Sequence, residues 1–127
     1  MTNLFELEPS PKIKKTKTLE ADSLTEVLQA LRTHHTVAWV RRQNTGAAKV
    51  GGRFIKFGWA GCTDLLGMLK DGRLLAVECK RLKGGKLSTE QAHFISMVNQ
   101  FGGCAFVATN ALDVFNNLGV DHASNGH

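Results

Sequence analysis

The sequence predicts an α/β fold in which a mixed β-sheet of four or five strands is flanked by helices. Apolar residues recur with helical spacing before residue 34 and after residue 88, and short β-branched or apolar runs lie between these two segments. The 127 residues suit one compact domain, and the hydrophobic fraction of 43% is enough for one core.

The first helix is predicted over residues 19–34. Its apolar side chains have the i, i+3, i+4, i+7 spacing that places them on one face, and they are Leu24, Val27, Leu28 and Leu31. Residues 1–18 contain both prolines and four lysines, which predicts a flexible basic arm. This arm is either solvated, which is the favoured interpretation, or in contact with phosphates. Residues 119–127 are predicted to form a polar tail.

The middle of the chain is predicted to alternate between strands and loops. Strands are predicted over residues 36–42, 53–57, 65–69 and 74–77, and glycine-rich loops over residues 44–52 and 58–63. Trp39, in the first strand, is predicted to lie in the core. The Asp71-Gly72 pair between the last two runs predicts a hairpin.

The C-terminal part is predicted to be helix, strand and helix. Ser88 followed by Gln91 resembles a capping box, and the helix is expected to reach about Phe101, before Gly102-Gly103. A buried strand is predicted over residues 104–109. Asn110 is predicted to cap a short last helix that ends near Leu118.

Asp64, Glu78 and Lys80 are the residues most suited to chemistry. Residues two apart on a strand share a face, so Glu78 and Lys80 project together while Cys79 points into the core. Two carboxylates and a nearby carbonyl suit Mg²⁺ or Mn²⁺, and a lysine can orient water or neutralise a phosphorane-like transition state. The alternative is a simple salt bridge between Glu78 and Lys80.

A shared metal imposes a condition on the hairpin. A two-residue turn at Asp71-Gly72 would place Asp64 opposite Cys79, facing away from Glu78. We therefore predict a one-residue offset, through either an odd-length loop or a bulge.

Four ordered segments resemble the VRR-NUC family, a branch of the PD-(D/E)xK nuclease superfamily. They are RQNTG (42–46), FGWAGCTDL (57–65), LAVECK (75–80) and GKLSTEQ (85–91). With the flanking helices and the last strand, the resemblance covers residues 19–118 and implies a restriction-endonuclease-like core. One departure is Thr63, where the superfamily has proline; because that proline only shapes the loop, little effect on chemistry is expected.

The resemblance also implies roles for individual residues. Asp64, Glu78 and the backbone carbonyl of Cys79 would hold the metal, and Lys80 would be the catalytic lysine. Gln91 would support the active site. Glu20, on the first helix, would hold a second metal or a metal-bound water.

The formal net charge of +5 favours a polyanionic partner. The residues expected to contact nucleic acid are Arg41, Arg42, Asn44, Lys49, Arg53, Lys56, Arg81, Lys83 and Lys86. The resemblance implies a DNA nuclease that is selective for branched or junction DNA, works in replication, recombination or repair, and forms a homodimer. The alternatives are a non-catalytic nucleic-acid-binding module and an RNA nuclease.

The cysteines and the absence of certain motifs limit the expected cellular compartment and cofactors. Three cysteines without a CxxC pair argue against a disulfide framework or a zinc cluster, and they suit a reducing cytoplasm. The resemblance to VRR-NUC implies that this cytoplasm belongs to a bacterium or a phage-infected cell. No nucleotide-binding glycine motif is present, so no nucleotide cofactor is expected. No run of apolar residues is long enough to span a membrane.

Overall fold

The computed structural model describes residues 15–43, 46–81 and 85–120, and their side chains except those of residues 15–20, 46–47 and 56–57. Three helices and six strands lie in these ranges. The helices are α1 (Lys15–Thr33), α2 (Thr89–Gln100) and α3 (Ala111–Leu118). The strands are β1 (Val37–Arg42), β2 (Gly46–Val50), β3 (Arg53–Phe57), β4 (Leu65–Leu69), β5 (Leu74–Cys79) and β6 (Cys104–Ala108).

The main sheet is mixed and four-stranded, with the strand order β1-β4-β5-β6. The pairs β1–β4 and β4–β5 are antiparallel, whereas β5 and β6 are parallel because α2 forms the crossover between them. This α/β architecture confirms the predicted fold class and is consistent with a restriction-endonuclease-like core.

Helices cover both faces of the sheet. On one face, α1 and α3 pack over the larger core, which includes Val27, Leu31, Leu65, Leu75, Val77 and Val114. On the other face, α2 packs over a smaller cluster, which includes Ala76, Phe94, Val98 and Ala105. The alternation along β5 explains the division, because consecutive strand residues point to opposite faces. Among the described residues, no helix is both long and apolar enough to cross a membrane.

The β4–β5 hairpin has a three-residue loop rather than a two-residue turn. The backbone N–H of Leu69 donates to the carbonyl of Arg73 at 2.9 Å, and the N–H of Gly72 donates to the carbonyl of Leu69 at 2.8 Å. Gly72 has a φ of +96°, in the left-handed region that favours glycine in such loops.

This loop sets the register of the two strands. Leu65 lies opposite Val77. The same register, continued by one residue, places Asp64 opposite Glu78. The predicted one-residue offset is therefore confirmed, and the two carboxylates lie on the same face of the sheet.

Two predictions from the sequence are wrong: the start of the first helix and the assignment of residues 46–50 to a loop. Helix α1 begins at Lys15, inside the predicted arm of residues 1–18, because residues 15–18 contain no proline or glycine and the helix continues beyond its apolar stripe. Gly46–Val50 is a strand rather than a loop. Its residues have low strand propensity, but the Gly51-Gly52 turn pairs them with β3. Residues 1–14 lie outside the described part of the chain.

The prediction that Trp39 lies in the core is also wrong. Its side chain is exposed rather than buried. The register between β1 and β4 shifts between Val37 and Trp39, and this irregularity moves Trp39 off the core-facing positions.

Replacement of Gly72 tests the loop that sets the register. We expect Gly72→Ala to lower the free energy of unfolding by about 1–2 kcal/mol, because an L-residue at this φ is strained. A Cβ there would meet no other atom within 4 Å, so the loss reflects backbone conformation alone. Urea unfolding measures it, with Lys70→Ala in the same loop as the control; equal stability of the two variants would contradict the role given to Gly72.

Candidate active site

Asp64 and Glu78 are joined by reciprocal contacts across the β4–β5 pair. The backbone N–H of Asp64 donates to Oε1 of Glu78 at 3.1 Å. The backbone N–H of Cys79 donates to Oδ2 of Asp64 at 3.0 Å. Each carboxylate is thus oriented by the backbone of the opposite strand, and the two acids are held side by side.

Glu78 is almost completely buried, with 2% of its surface exposed. Its second oxygen, Oε2, accepts a hydrogen bond from Nε2 of Gln91 at 2.8 Å and lies 3.2 Å from Nζ of Lys80. Burial, and then the charge of Asp64, raise the pKa of Glu78 above its ordinary value, while Lys80 opposes the shift. Both oxygens of the buried carboxylate therefore have polar partners, but its charged form is electrostatically unfavourable.

Lys80 follows β5 immediately. Its backbone N–H donates to the carbonyl of Ala108 at 3.1 Å, which extends the pairing with β6 by one residue. Its side chain lies on the same face as Glu78, as predicted, whereas Cys79 belongs to the core on the other face. Gly85 passes so close that a Cβ there would lie 2.9 Å from the Cβ of Lys80, so a larger residue would displace this side chain or the loop.

The capping box of α2 orients Gln91. The N–H of Gln91 donates to Oγ of Ser88 at 3.0 Å, and the N–H of Ser88 donates to Oε1 of Gln91 at 3.1 Å. Because Oε1 is used as the acceptor, Nε2 is left to donate to Glu78. The predicted capping box is present, and it also fixes the direction of the amide that contacts the buried acid.

Thr63 and Gln43 hold the backbone at Asp64. The buried hydroxyl of Thr63 donates to the carbonyl of Leu65 at 2.9 Å. The N–H of Gln43, just after β1, donates to the carbonyl of Asp64 at 2.7 Å. The bend that proline would favour before Asp64 is thus stabilised here by a side-chain hydrogen bond.

A small polar cleft of about 250 Å³ lies beside Asp64. It is lined by Arg42, Gln43, Gly61, Cys62, Thr63, Asp64 and Gln91. A larger, mainly apolar cleft of about 510 Å³ lies at the other end of β5, near Leu74 and Phe101, and contains neither acid. The polar cleft is therefore the relevant one for chemistry at Asp64.

The donor set is compatible with a hard divalent cation. Asp64 and Glu78 lie together, and Nζ of Lys80 forms an ion pair with Glu78. Among the described side chains, no third His, Cys, Asp or Glu completes a metal-binding group with them. The side chain of Glu20 lies outside the described part.

Most of the predicted nucleic-acid contacts are exposed. Exposed side chains belong to Arg41, Arg42, Lys49, Arg53 and Lys86, and Arg81 is half-buried. Arg42 is the member of this set that lines the polar cleft. Asn44 and Lys83 lie outside the described residues, as does the side chain of Lys56.

Two features of the site were not predicted from the sequence: the backbone contact of Gln43 and the link from Ser88 through Gln91 to Glu78. The Gln43 contact is made by a backbone N–H, for which no side-chain pattern exists. The link from Ser88 through Gln91 to Glu78 could have been found, since a capping-box glutamine has its carbonyl engaged and its amide N–H group available for another acceptor.

Comparisons with protein-family models, with curated proteins and with solved structures found no match to this chain. The resemblance to VRR-NUC therefore stays a prediction from the sequence. The arrangement of the side chains is the basis for the function proposed below.

A double-mutant cycle tests the link between the helix cap and the acid. We expect Ser88→Ala to cost about 1 kcal/mol in the free energy of unfolding, because the cap is lost. Gln91→Ala also destabilises, since it removes a donor to buried Glu78. The double variant should lose less than the sum, because both changes disrupt one network.

Asn110 provides the matched control for this cycle. Its side chain caps α3 by accepting from the N–H of Asp113 at 3.0 Å, with no contact to Glu78. Asn110→Ala and Gln91→Ala should therefore be additive in urea unfolding. Additivity of Ser88→Ala with Gln91→Ala would refute the link.

The raised pKa of Glu78 predicts a pH-dependent stability. The folded state keeps this proton at pH values where the unfolded state has lost it, so stability falls as pH rises from the ordinary glutamate range to the raised pKa. Glu78→Gln should lack this component and give a flatter profile over the same range. Urea unfolding in EDTA across a pH series measures the difference; parallel profiles would contradict it.

Proposed function

We propose that this chain is a Mg²⁺- or Mn²⁺-dependent nuclease that hydrolyses DNA phosphodiester bonds. The observation that carries the proposal is the side-by-side placement of Asp64 and Glu78, with Lys80 on the same face. Two acids and a lysine at the end of a buried strand match the parts that phosphodiester hydrolysis requires.

Asp64, Glu78 and the backbone carbonyl of Cys79 are the proposed ligands. A bound divalent cation would stabilise charge on a phosphate oxygen and lower the pKa of a bound water. Its charge would also offset the cost of keeping two neighbouring carboxylates ionised, one of which is buried. Glu20 remains a proposed contributor at a second metal or a metal-bound water.

In this proposal Lys80 acts on the reacting groups, whereas Gln91 positions Glu78. The ammonium of Lys80 orients the attacking water or neutralises negative charge that develops on the phosphate. Gln91 holds Glu78 through the 2.8 Å hydrogen bond, and the capping box keeps its amide in that orientation. The polar cleft beside Asp64, with Arg42 in its wall, is the proposed phosphate position.

The charge distribution supports a nucleic-acid substrate. No acidic residue occurs between Glu26 and Asp64, whereas this segment contains six basic residues: Arg32, Arg41, Arg42, Lys49, Arg53 and Lys56. Lysines and arginines that neutralise phosphates supply sequence-independent affinity. By its resemblance to VRR-NUC, the protein would act as a homodimer on branched DNA in a bacterial or phage-infected cytoplasm.

A second candidate is a non-catalytic nucleic-acid-binding module. The observation that favours it is the 3.2 Å ion pair between Lys80 and Glu78, which can stabilise the strand end without any chemistry. An RNA nuclease is a third possibility with the same residues.

Cleavage assays separate these candidates. Purified protein is incubated with labelled four-way junction, flap, linear duplex and RNA, in Mn²⁺ and in EDTA. We expect cleavage of branched DNA in Mn²⁺ only, and a loss of 100-fold or more in Lys80→Ala, the range typical for one charge-stabilising group. Lys70→Ala, at the hairpin tip, is the matched control and should cleave normally.

Each other outcome is informative. Binding without metal-dependent cleavage favours the module, and cleavage of RNA alone favours the third possibility. Cleavage that survives Lys80→Ala rejects this active site. Loss of activity in Lys70→Ala as well would show that lysine removal acts through general charge rather than position.

A further inference from the structure

Strands β2 and β3 form a hairpin that does not join the main sheet. Within the part of the chain that the structure describes, they pair only with each other, as a separate two-stranded sheet. Every side chain from Ala48 to Ile55 is exposed, so this part of the hairpin does not pack on the body of the protein. A two-stranded hairpin alone is marginally stable in water, so contact with a binding partner would stabilise this one.

The hairpin exposes apolar side chains without a core to bury them. Phe54 is 71% exposed, Val50 is 56% exposed and Ile55 is 43% exposed. A single exposed apolar residue is ordinary, but these three leave apolar side chains exposed on both faces of the ribbon, Phe54 on one face and Val50 and Ile55 on the other.

The two faces of the hairpin differ in chemistry. Lys49 lies directly opposite Phe54, and paired residues of an antiparallel ribbon share a face. Ala48 lies opposite Ile55 on the other face. One face therefore combines an ammonium group and an aromatic ring, whereas the other combines aliphatic side chains with the guanidinium of Arg53, which lies opposite Val50.

The occupant that fits this face is nucleic acid. It has anionic phosphates for Lys49 and flat base surfaces for Phe54. The hairpin contains no acidic residue, so its charge complements a polyanion along its whole length. In a regular duplex the bases are stacked on each other, so a phenylalanine ring requires an unpaired or unstacked base.

The hairpin is also connected to the candidate active site at both ends. Gln43 lies three residues before β2, and its N–H is bonded to the carbonyl of Asp64. Gly58 follows β3 and begins the loop that leads to Asp64. The base of the hairpin therefore lies next to the segment that carries the first carboxylate.

We propose that Phe54 stacks on an unpaired base of bound DNA while Lys49 contacts the adjacent phosphate. This inference rests on the proposed function, for which it names the substrate class: DNA that contains unpaired bases. The sequence-based set of basic contacts includes Lys49 but not Phe54. The structure adds Phe54 to this set, because strand pairing places it directly opposite Lys49 on the same face.

Binding measurements in EDTA test the proposal without any cleavage. The full chain is titrated into fluorescein-labelled single-stranded DNA, and into the fully paired duplex of the same sequence, with anisotropy as the readout. We expect Phe54→Ala to weaken single-strand binding by about tenfold or more, the range for loss of one stacked base, and to leave duplex binding within about threefold. Phe54→Trp should retain single-strand affinity.

Ile55→Ala is the matched control, because it removes an exposed apolar side chain from the other face. It should bind both DNAs like the unmodified protein. Equal single-strand affinity for Phe54→Ala and unmodified protein, or equal losses in Phe54→Ala and Ile55→Ala, would overturn the proposal. Selective binding that depends on Phe54 without cleavage in Mn²⁺ would uphold it, while the nuclease proposal alone would fail.

Discussion

The register of the β4–β5 hairpin is the constraint on which the candidate site depends. With a three-residue loop, Asp64 falls opposite Glu78, and each acid is bonded to the backbone of the opposite strand. A two-residue turn would turn Asp64 toward the other face, because a shift of one residue reverses every side chain on a strand. The site is thus a property of strand pairing, rather than of three residues that happen to lie close together.

Because Glu78 is buried, its carboxylate must be stabilised by partners within the protein. A carboxylate with 2% exposure requires partners on both oxygens, and it has them from Asp64, Gln91 and Lys80. These partners come from three different segments: the start of β4, the first turn of α2 and the end of β5. The packing of α2 on the sheet therefore connects the fold directly to the electrostatics of the acid.

Much of this was predictable because it depends on local patterns. The alternation along β5 placed Glu78 and Lys80 on one face, and Ser88 with Gln91 identified the start of α2. Features that depend on pairing partners were not predictable. Gly46–Val50 has few β-branched residues and becomes a strand through its partner β3. Trp39 is exposed because of an irregularity in the pairing of β1, which no pattern within β1 signals.

The same irregularity has a consequence for assembly. β1 lies at one edge of the main sheet, where a regular strand could template the addition of a strand from another chain. The register shift between Val37 and Trp39 interrupts the even spacing of its backbone groups, and Arg41 and Arg42 place two exposed charges at its far end. An incoming strand would meet mismatched hydrogen-bonding groups and positive charge, so this edge is protected against the uncontrolled growth of the sheet that leads to aggregation.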